Sequence, residues 1–413
     1  MNGHLLLFIL LVSVSFSENS FGSSLIEIER AWMIDCPEET CLVEFEGMLA
    51  ANNSNQRVIS IETEPAMNIT AKGEELRVTY SGSFKNGTTV LRAAAVVGVD
   101  YDTALRTDGP LVPAEANSTA LTAYNAPIAA RAAMLADNYS LLGTIRNNAE
   151  WVHANIDYDL TYFGISKDAQ SVFVERRGVC VEYAHLLISM LNSLGIRTRY
   201  VNGYVLASDW QPHAWVEAEV PGYGWLPLDA TFNQAGILDS SHVIISYGLD
   251  QQSVYDRVVS KTRNIMLDSE TTVLSYSPVE NPKGLEASLG YDNETHTATA
   301  DVENTRNEYL FAIYRFSSPR EYWGDDTALL LLEPLETMHR EYRVDYEGLP
   351  EGFVYTVPLR VSANDAEESM QVEIRKSRTV ETAEDNICVS AFIVALAFLP
   401  VVLWSKETSL SKR

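Results

Sequence analysis

The spacing of apolar residues changes twice along this chain, and any fold must satisfy all three stretches at once. Over residues 24–116 the segments LIEIERAWMI, CLVEFEGML, RVISIET, LRVTYSGSF and TVLRAAAVVGV alternate or run apolar between Asn and Gly turns, as β-strands do. From Thr119 the pattern becomes helical: TALTAYNAPIAARAAMLADNY and LLGTIRNNAEWVHANIDYD place apolar residues three and four apart. RTRYVNGYVLA, HAWVEAEV and GWLPLDA then read as strands broken by Pro and Gly. From Tyr276 to Ile374 seven short strand-like segments suggest a β-sandwich of immunoglobulin-like type. The expected fold class is therefore α+β, with a β-rich domain over 24–116, a mixed core over 119–270 and a sandwich over 276–375. At 413 residues the chain can bury a core in each. No internal repeat is evident.

Both ends carry the marks of export. MNGHLLLFILLVSVSFS holds an apolar stretch from Leu5 to Phe16, followed by a small-x-small site that suits cleavage after Ser17. With no Lys or Arg ahead of that stretch, a retained N-terminal anchor is compatible as well. Ile387 to Trp404 is uncharged for 18 residues, which as a helix would extend roughly 27 Å, enough to span a bilayer. Lys406, Lys412 and Arg413 follow it, as the positive-inside rule asks. The expectation is a signal peptide at 1–17, a polar spacer at 376–386, a transmembrane helix at 387–404 and a cytoplasmic tail at 405–413, with the body facing outward. Six N-x-[ST] triplets, at Asn52, Asn68, Asn86, Asn117, Asn138 and Asn293, agree with an exported glycoprotein. Thirty Lys and Arg against 56 Asp and Glu give a net charge of -26. Such a surface repels phosphate backbones and argues against a nucleic-acid partner.

Four cysteines are distributed unevenly. Cys36 and Cys41, in DCPEETC, can close a short loop across a hairpin in an oxidising compartment; two reduced structural cysteines are the alternative. Cys388 falls in the apolar run. Cys180 stands alone in RRGVCVEYAHLLISMLNSLGI, where Cys180, Ala184, Leu187, Leu191 and Leu194 form one stripe of an amphipathic helix ending at Gly195. A cysteine in the first turn meets unpaired N–H groups and the positive end of the helix dipole, which favour thiolate. Arg176 and Arg177 add positive charge upstream. A small buried hydrophobe at the head of a core stripe is the plain structural alternative.

HAWVEAEVPGYGWLPLDATF then reads as a hairpin with His213 opening one arm and Asp229 closing the other. A strict four-residue loop would put these two side chains on opposite faces. A three- or five-residue loop, or one bulge, would bring them to the same face. Cys180, His213 and Asp229 then make a nucleophile, base and orienting carboxylate, with the Cys180 N–H available to an oxyanion.

RRGVCVEYAHLLISMLNSLGIRTRYVNGY and HAWVEAEVPGYGWLPLDATF closely resemble the transglutaminase-like superfamily, relatives of the papain-like fold, and AEWVHANIDYD (149–159) resembles the helix that precedes its nucleophile. The resemblance implies Cys180 as nucleophile, His213 as base, Asp229 as third member, and acyl transfer through a thioester to an amine or to water. It covers the core and not the flanking β domains, and the calcium dependence and glutamine preference of the large animal cross-linking enzymes do not carry over with it. No cofactor or metal is expected, with calcium dependence left open.

Other candidates are weaker. Cys180, His185 and His213 lack metal-ligand spacing and a fourth donor. His185 is expected to be solvated or packed on a neighbour, and Glu182 to lie on the helix surface. Trp215, Tyr204 and Trp225 are expected as core aromatics before groove walls, with Trp210, Trp215 and Trp225 the candidates for excluding water. Asp325 and Asp326 are expected in a solvated turn. The resulting expectation is a membrane-anchored, outward-facing cysteine acyltransferase or amidase acting on surface protein or a peptide-containing wall polymer, of undetermined oligomeric state. The alternative is an adhesion or scaffold protein that uses the same core only to bind.

Overall fold

The computed structural model describes residues 21–101, 104–279, 284–319, 324–343, 350 and 352–376. The chain opens with β1 (Ser23–Ala51), β2 (Gln56–Glu64), β3 (Asn68–Lys72) and β4 (Glu75–Asp100). β1 and β4 pair antiparallel from Ser23↔Asp100 to Ala51↔Glu75, and both β2 and β3 pair with β4. The inward set in β1 is Ile26, Ile28, Trp32 and Ile34, then changes parity to Cys41, Val43 and Phe45. In β4 it changes likewise, between Leu91 and Phe84. The change falls at a break in register between Cys36 and Thr40, opposite Asn86 and Gly87, where both strands turn over together. A disulfide between Cys36 and Cys41 spans this point, with Cα atoms 5.9 Å apart.

The middle of the chain forms α1 (Ala126–Leu135), α2 (Leu141–Asn155), β5 (Asp157–Tyr158), α3 (Ala169–Glu175), β6 (Arg177–Gly178) and α4 (Cys180–Ser193). Side-chain caps start the first three helices: Asn125 accepts from the Ile128 N–H, Ser140 from Gly143, and Asp168 from Gln170 and Ser171. Next come β7 (Thr198–Leu206), β8 (Trp210–Val220), β9 (Gly224–Asp229), β10 (Gln234–Ala235) and β11 (Val243–Gly248), forming one sheet in the order β10-β9-β8-β7-β11.

Helix α4 departs from the expected amphipathic pattern. Every residue from Glu182 to Asn192 is buried, because α1, α2 and α3 pack on it along with β7 and β8. The polar stripe that reads as a solvent face finds partners inside. Glu182 is fully buried rather than on the surface, and accepts from the backbone N–H of Val179 and of Lys167, both at 3.0 Å. His185 Nδ1 meets the Lys167 carbonyl at 2.9 Å and its Nε2 accepts from the Gln251 N–H at 3.3 Å. Asn192 donates to the Asn117 carbonyl at 2.8 Å and accepts from Thr198 at 2.7 Å. Backbone groups of loops laid across the helix take the place of water.

The chain then returns to the first sheet. β12 (Arg257–Ser260) and β13 (Met266–Val279) both pair with β1, so the sheet begun at Ser23 is completed by strands that run past the expected boundary at residue 270. Their arrival covers the second edge of a 29-residue strand, which would otherwise leave a long row of unpaired backbone groups. Asp256 fixes the return: it pairs with Arg30 at 3.0 Å and accepts from Trp32 Nε1 at 2.9 Å and from the Met48 N–H at 2.8 Å. Buried Gln56 joins the two sheets, donating to the carbonyls of Ala51 and Ile244 and accepting from the Ile244 N–H at 2.7 Å.

Seven further strands, β14 (Leu285–Asp292), β15 (Thr297–Asn304), β16 (Leu310–Ser317), β17 (Asp326–Leu332), β18 (Thr337–Arg343), β19 (Phe353–Ala363) and β20 (Ala366–Lys376), make two sheets, β14-β15-β18 and β17-β16-β19-β20. Ala298, Ala300 and Val302 of one sheet share a core with Tyr314, Val357 and Ile374 of the other. Gly236, at φ +70°, lets this unit close on the middle domain, since a Cβ there would meet the Phe311 ring at 2.1 Å. Asp326, expected in a solvated turn, pairs with Arg340 at 2.6 Å and accepts from the Tyr342 hydroxyl at 2.7 Å. Among the described residues no helix is long and apolar enough to cross a membrane. The expected signal peptide, the transmembrane helix with Cys388, and the tail lie outside the described residues, as does the spacer beyond Lys376.

Candidate active site

β5 and β6 form a two-residue parallel ladder that sets Tyr158 opposite Gly178 and delivers the chain into α4. Val179 is the N-cap of that helix and offers no side-chain acceptor to the first turn, which starts at Cys180. Glu182 instead ties back to the Val179 N–H and fixes the entry angle. Cys180 is half-buried and is the free cysteine of the described residues. The two arginines before it are engaged elsewhere. The Arg176 guanidinium lies 4.3 Å from the Phe173 ring centre and 4.7 Å from that of Trp151, and Arg177 is exposed, 3.8 Å from Asp159.

The β8–β9 hairpin meets the demand on its register. Val220 pairs with Gly224, so the loop holds the three residues Pro221, Gly222 and Tyr223, and Trp215 then lies beside the position of Asp229. His213, Trp215 and Asp229 therefore share a face. His213 Nε2 stands 2.7 Å from Asp229 Oδ2, with both side chains buried. The other Asp229 oxygen, Oδ1, accepts from the N–H groups of Thr231 (2.7 Å) and Phe232 (3.3 Å). The His213 ring is stacked between Phe232 and Trp215, with centroids at 5.1 and 5.9 Å.

Burial by itself lowers the pKa of His213, but the Asp229 carboxylate outweighs it, and the neighbouring Cys180 adds to the upward shift. Asp229 is held well below the usual carboxylate range: burial opposes this, and its two imidazole partners overcome the opposition. The structure thus brings together Cys180, His213 and Asp229, from α4, β8 and β9.

A second histidine escaped the sequence reading. His242, fully buried, directs Nε2 at the same Asp229 oxygen at 3.1 Å and Nδ1 at the Asp239 carbonyl (3.1 Å) and carboxylate (3.3 Å). Neither residue falls in a segment with periodic signal, and only SSH with a preceding Asp marks the place. Donor atoms of His213, Asp229 and His242 lie within 4.8 Å of one another, near enough for a cation. Hydrogen bonds account for all three, however, and both imidazoles converge on one oxygen instead of leaving a space between donors. Of the aromatics, Trp215 is a core residue, Trp225 takes the Arg199 guanidinium at 4.4 Å, and Trp210 packs edge-on against Tyr276. Tyr204 is partly buried against the same core.

Residues 129–230 match the family described as the transglutaminase-like superfamily. The chain is 29% identical over 145 residues to an uncharacterized protein of Mycobacterium leprae, a match covering 33% of this chain and 50% of that protein. An uncharacterized protein of Mycobacterium tuberculosis is 30% identical over 152 residues, covering 33% of this chain and 46% of the relative. The chain thus spans about half the length of the curated relatives it matches. A protein-glutamine gamma-glutamyltransferase of Pseudomonas aeruginosa is 35% identical over 75 residues, 16% of this chain and 11% of that protein. Among solved structures, a candidate cysteine protease from Cytophaga hutchinsonii aligns over 63% of this chain and 95% of its own, at 18% identity and a TM-score of 0.43. Residues 129–230 of this chain are a core of the transglutaminase-like superfamily.

Proposed function

We propose that this protein is a cysteine enzyme that carries out acyl transfer through a thioester on Cys180, acting on surface proteins or peptide-containing wall polymers from the outer face of a membrane. The observation that carries the reading is the buried His213–Asp229 pair, held at 2.7 Å, with the free, half-buried Cys180 at the head of α4 near enough to act on the His213 ring. Because Asp229 takes Nε2–H, the proton that matters is the one shared between His213 Nδ1 and Cys180. With that proton on the ring, the sulfur is a thiolate and attacks the substrate carbonyl carbon. The oxyanion is received by first-turn N–H groups that no capping side chain occupies. Collapse of the tetrahedral adduct breaks the C–N bond, and His213 gives its proton to the departing amine. Water or a second amine, deprotonated by the now neutral His213, then attacks the thioester and releases Cys180.

Exposed Tyr158, Leu160, Phe163 and Ile165, on the segment leading to the nucleophile, offer an apolar approach for a polypeptide substrate. The deciding experiment incubates the purified protein with a glutamine peptide and a labelled primary amine, with Cys180→Ser as control. Labelled adduct from the wild type alone supports cross-linking, and free ammonia without adduct supports hydrolysis. Equal product from both proteins leaves a binding scaffold instead.

A further inference from the structure

The buried line does not end at Asp229. Beyond it stand His242 and then Asp239, and every polar atom in that extension has a partner that fixes its charge. Asp239 Oδ1 accepts from both the N–H (3.1 Å) and the hydroxyl of Ser241, and Oδ2 accepts from Gln234 Nε2 at 2.9 Å. Asp229 accepts at both oxygens. Two carboxylates with a donor on every oxygen are ionised. His242 lies between them with only acceptors around it: Asp229 Oδ2 at Nε2, the Asp239 carbonyl and Oδ1 at Nδ1. A neutral imidazole has one N–H and would leave one nitrogen facing an oxygen lone pair in a dry interior; an imidazolium satisfies both.

We propose that Asp239 and His242 extend Cys180, His213 and Asp229 into a line of five, in which His242 stays doubly protonated and shares the Asp229 oxygen with His213. The inference rests on the acyl-transfer reading above and makes His242 and Asp239 positioning residues for it. By drawing on the same oxygen, His242 limits how strongly Asp229 holds a proton on His213, so that this proton can leave with the amine. The other groups facing His242 are the His213 ring at 5.7 Å, Trp215 at 5.2 Å, Phe232 at 6.0 Å and Tyr101, whose hydroxyl donates to the His242 carbonyl at 3.1 Å. None of these supplies a competing carboxylate; Glu217, farther off, acts on Tyr101. The pKa of His242 is raised, since Asp239 and Asp229 outweigh its burial.

The test is a titration of the full chain carrying ring-15N histidine, followed by NMR, with His242→Gln and the charge-balanced Asp239→Asn/His242→Gln variant. Expected is an imidazolium signal assigned to His242, separate from that of His213, that persists from about pH 6 to about pH 8, that vanishes in both variants, and that is unmoved by a chelator. If His242→Gln fails to fold, the balanced variant still reports on His213, whose midpoint rises by about one pH unit once the competing cation is gone. A His242 spectrum of a neutral tautomer, a spectrum altered by chelation, or a His213 midpoint unchanged or lowered overturns the proposal. Iodoacetamide labelling of Cys180 in the wild type keeps the two readings separate. Labelling no faster than an ordinary thiol defeats the acyl-transfer reading, whereas a neutral His242 beside a fast Cys180 defeats only this one.

Discussion

His213 Nε2 lies 2.7 Å from Asp229 Oδ2, and neither side chain has appreciable contact with solvent. The pair therefore acts as one unit whose free ring nitrogen is Nδ1, the atom that the proposed reaction uses to take the Cys180 proton. Removing the ring removes the acceptor for the thiol proton. His213→Ala is expected to slow iodoacetamide labelling of Cys180 at about pH 6 by about tenfold to a hundredfold, the range separating an activated cysteine from a free one. Labelling rates that match in the two proteins would mean that His213 does not activate Cys180.

Stability should follow pH in a defined direction. The folded-state pKa of Asp229 and of Asp239 is lowered, so their contribution is present above the unfolded value, about pH 4, and is lost as pH falls through the lower folded values. Those of His213 and His242 are raised. Their contribution is complete below about pH 6.5 and is lost as pH rises through the folded values. Thermal unfolding is expected to be highest between these limits and to decline towards alkaline pH. His213→Asn should flatten the alkaline decline relative to wild type, and the difference between the two curves removes the effect of the -26 background charge. Parallel curves would contradict the assignment.

Gly178 admits no side chain. A Cβ there would meet Glu182 Cβ at 2.2 Å, and Glu182 is the side chain that ties α4 to Val179 and Lys167. Glu182→Ala should cost about 1–3 kcal/mol by leaving the buried Val179 N–H and the part-buried Lys167 N–H unpaired. Gly178→Ala should cost as much by displacing Glu182, and both should lower the labelling rate of Cys180 because the first turn shifts. Denaturant unfolding and labelling on the same samples check this. Wild-type labelling in a destabilised Glu182→Ala protein would separate the helix entry from the nucleophile.

Asp256→Ala should be among the most damaging substitutions outside the site. It strands buried Arg30 and frees Trp32 Nε1 and the Met48 N–H, at a cost of about 3–5 kcal/mol. Urea unfolding of Asp256→Ala and Asp256→Asn gives the number. A loss under about 1 kcal/mol in the alanine variant would show that the return of the chain to β1 does not depend on this carboxylate.

Helices α1, α2 and α4 and strands β7, β8 and β9 were legible because each has its own period, and the hairpin loop length could be stated in advance as a condition on two side chains. Glu182 was misread, whereas His185 packs on a neighbour, Tyr200, as one of its two expected readings allows. Their spacing marks a helix face away from Leu187 and Leu191, and nothing local reveals that the loops at Lys167 and Gln251 will lie on that face. His242 and Asp239 were missed because a tight turn held by Ser241 and Gln234 carries no periodicity. The pairing of β12 and β13 with β1 joins residues more than two hundred positions apart, a distance at which strand patterns do not specify partners.

The family match stops at residue 230, one position after Asp229. A fragment excised at that limit would keep all three residues of the proposed reaction while discarding Gln234, Asp239 and His242, along with the strand that shares hydrogen bonds with β7. The buried hydrogen-bonded unit around Asp229 is therefore larger than the segment by which the relatives of this chain are recognised. Comparisons confined to the shared segment would not distinguish a chain that keeps His242 and Asp239 from one that has lost them.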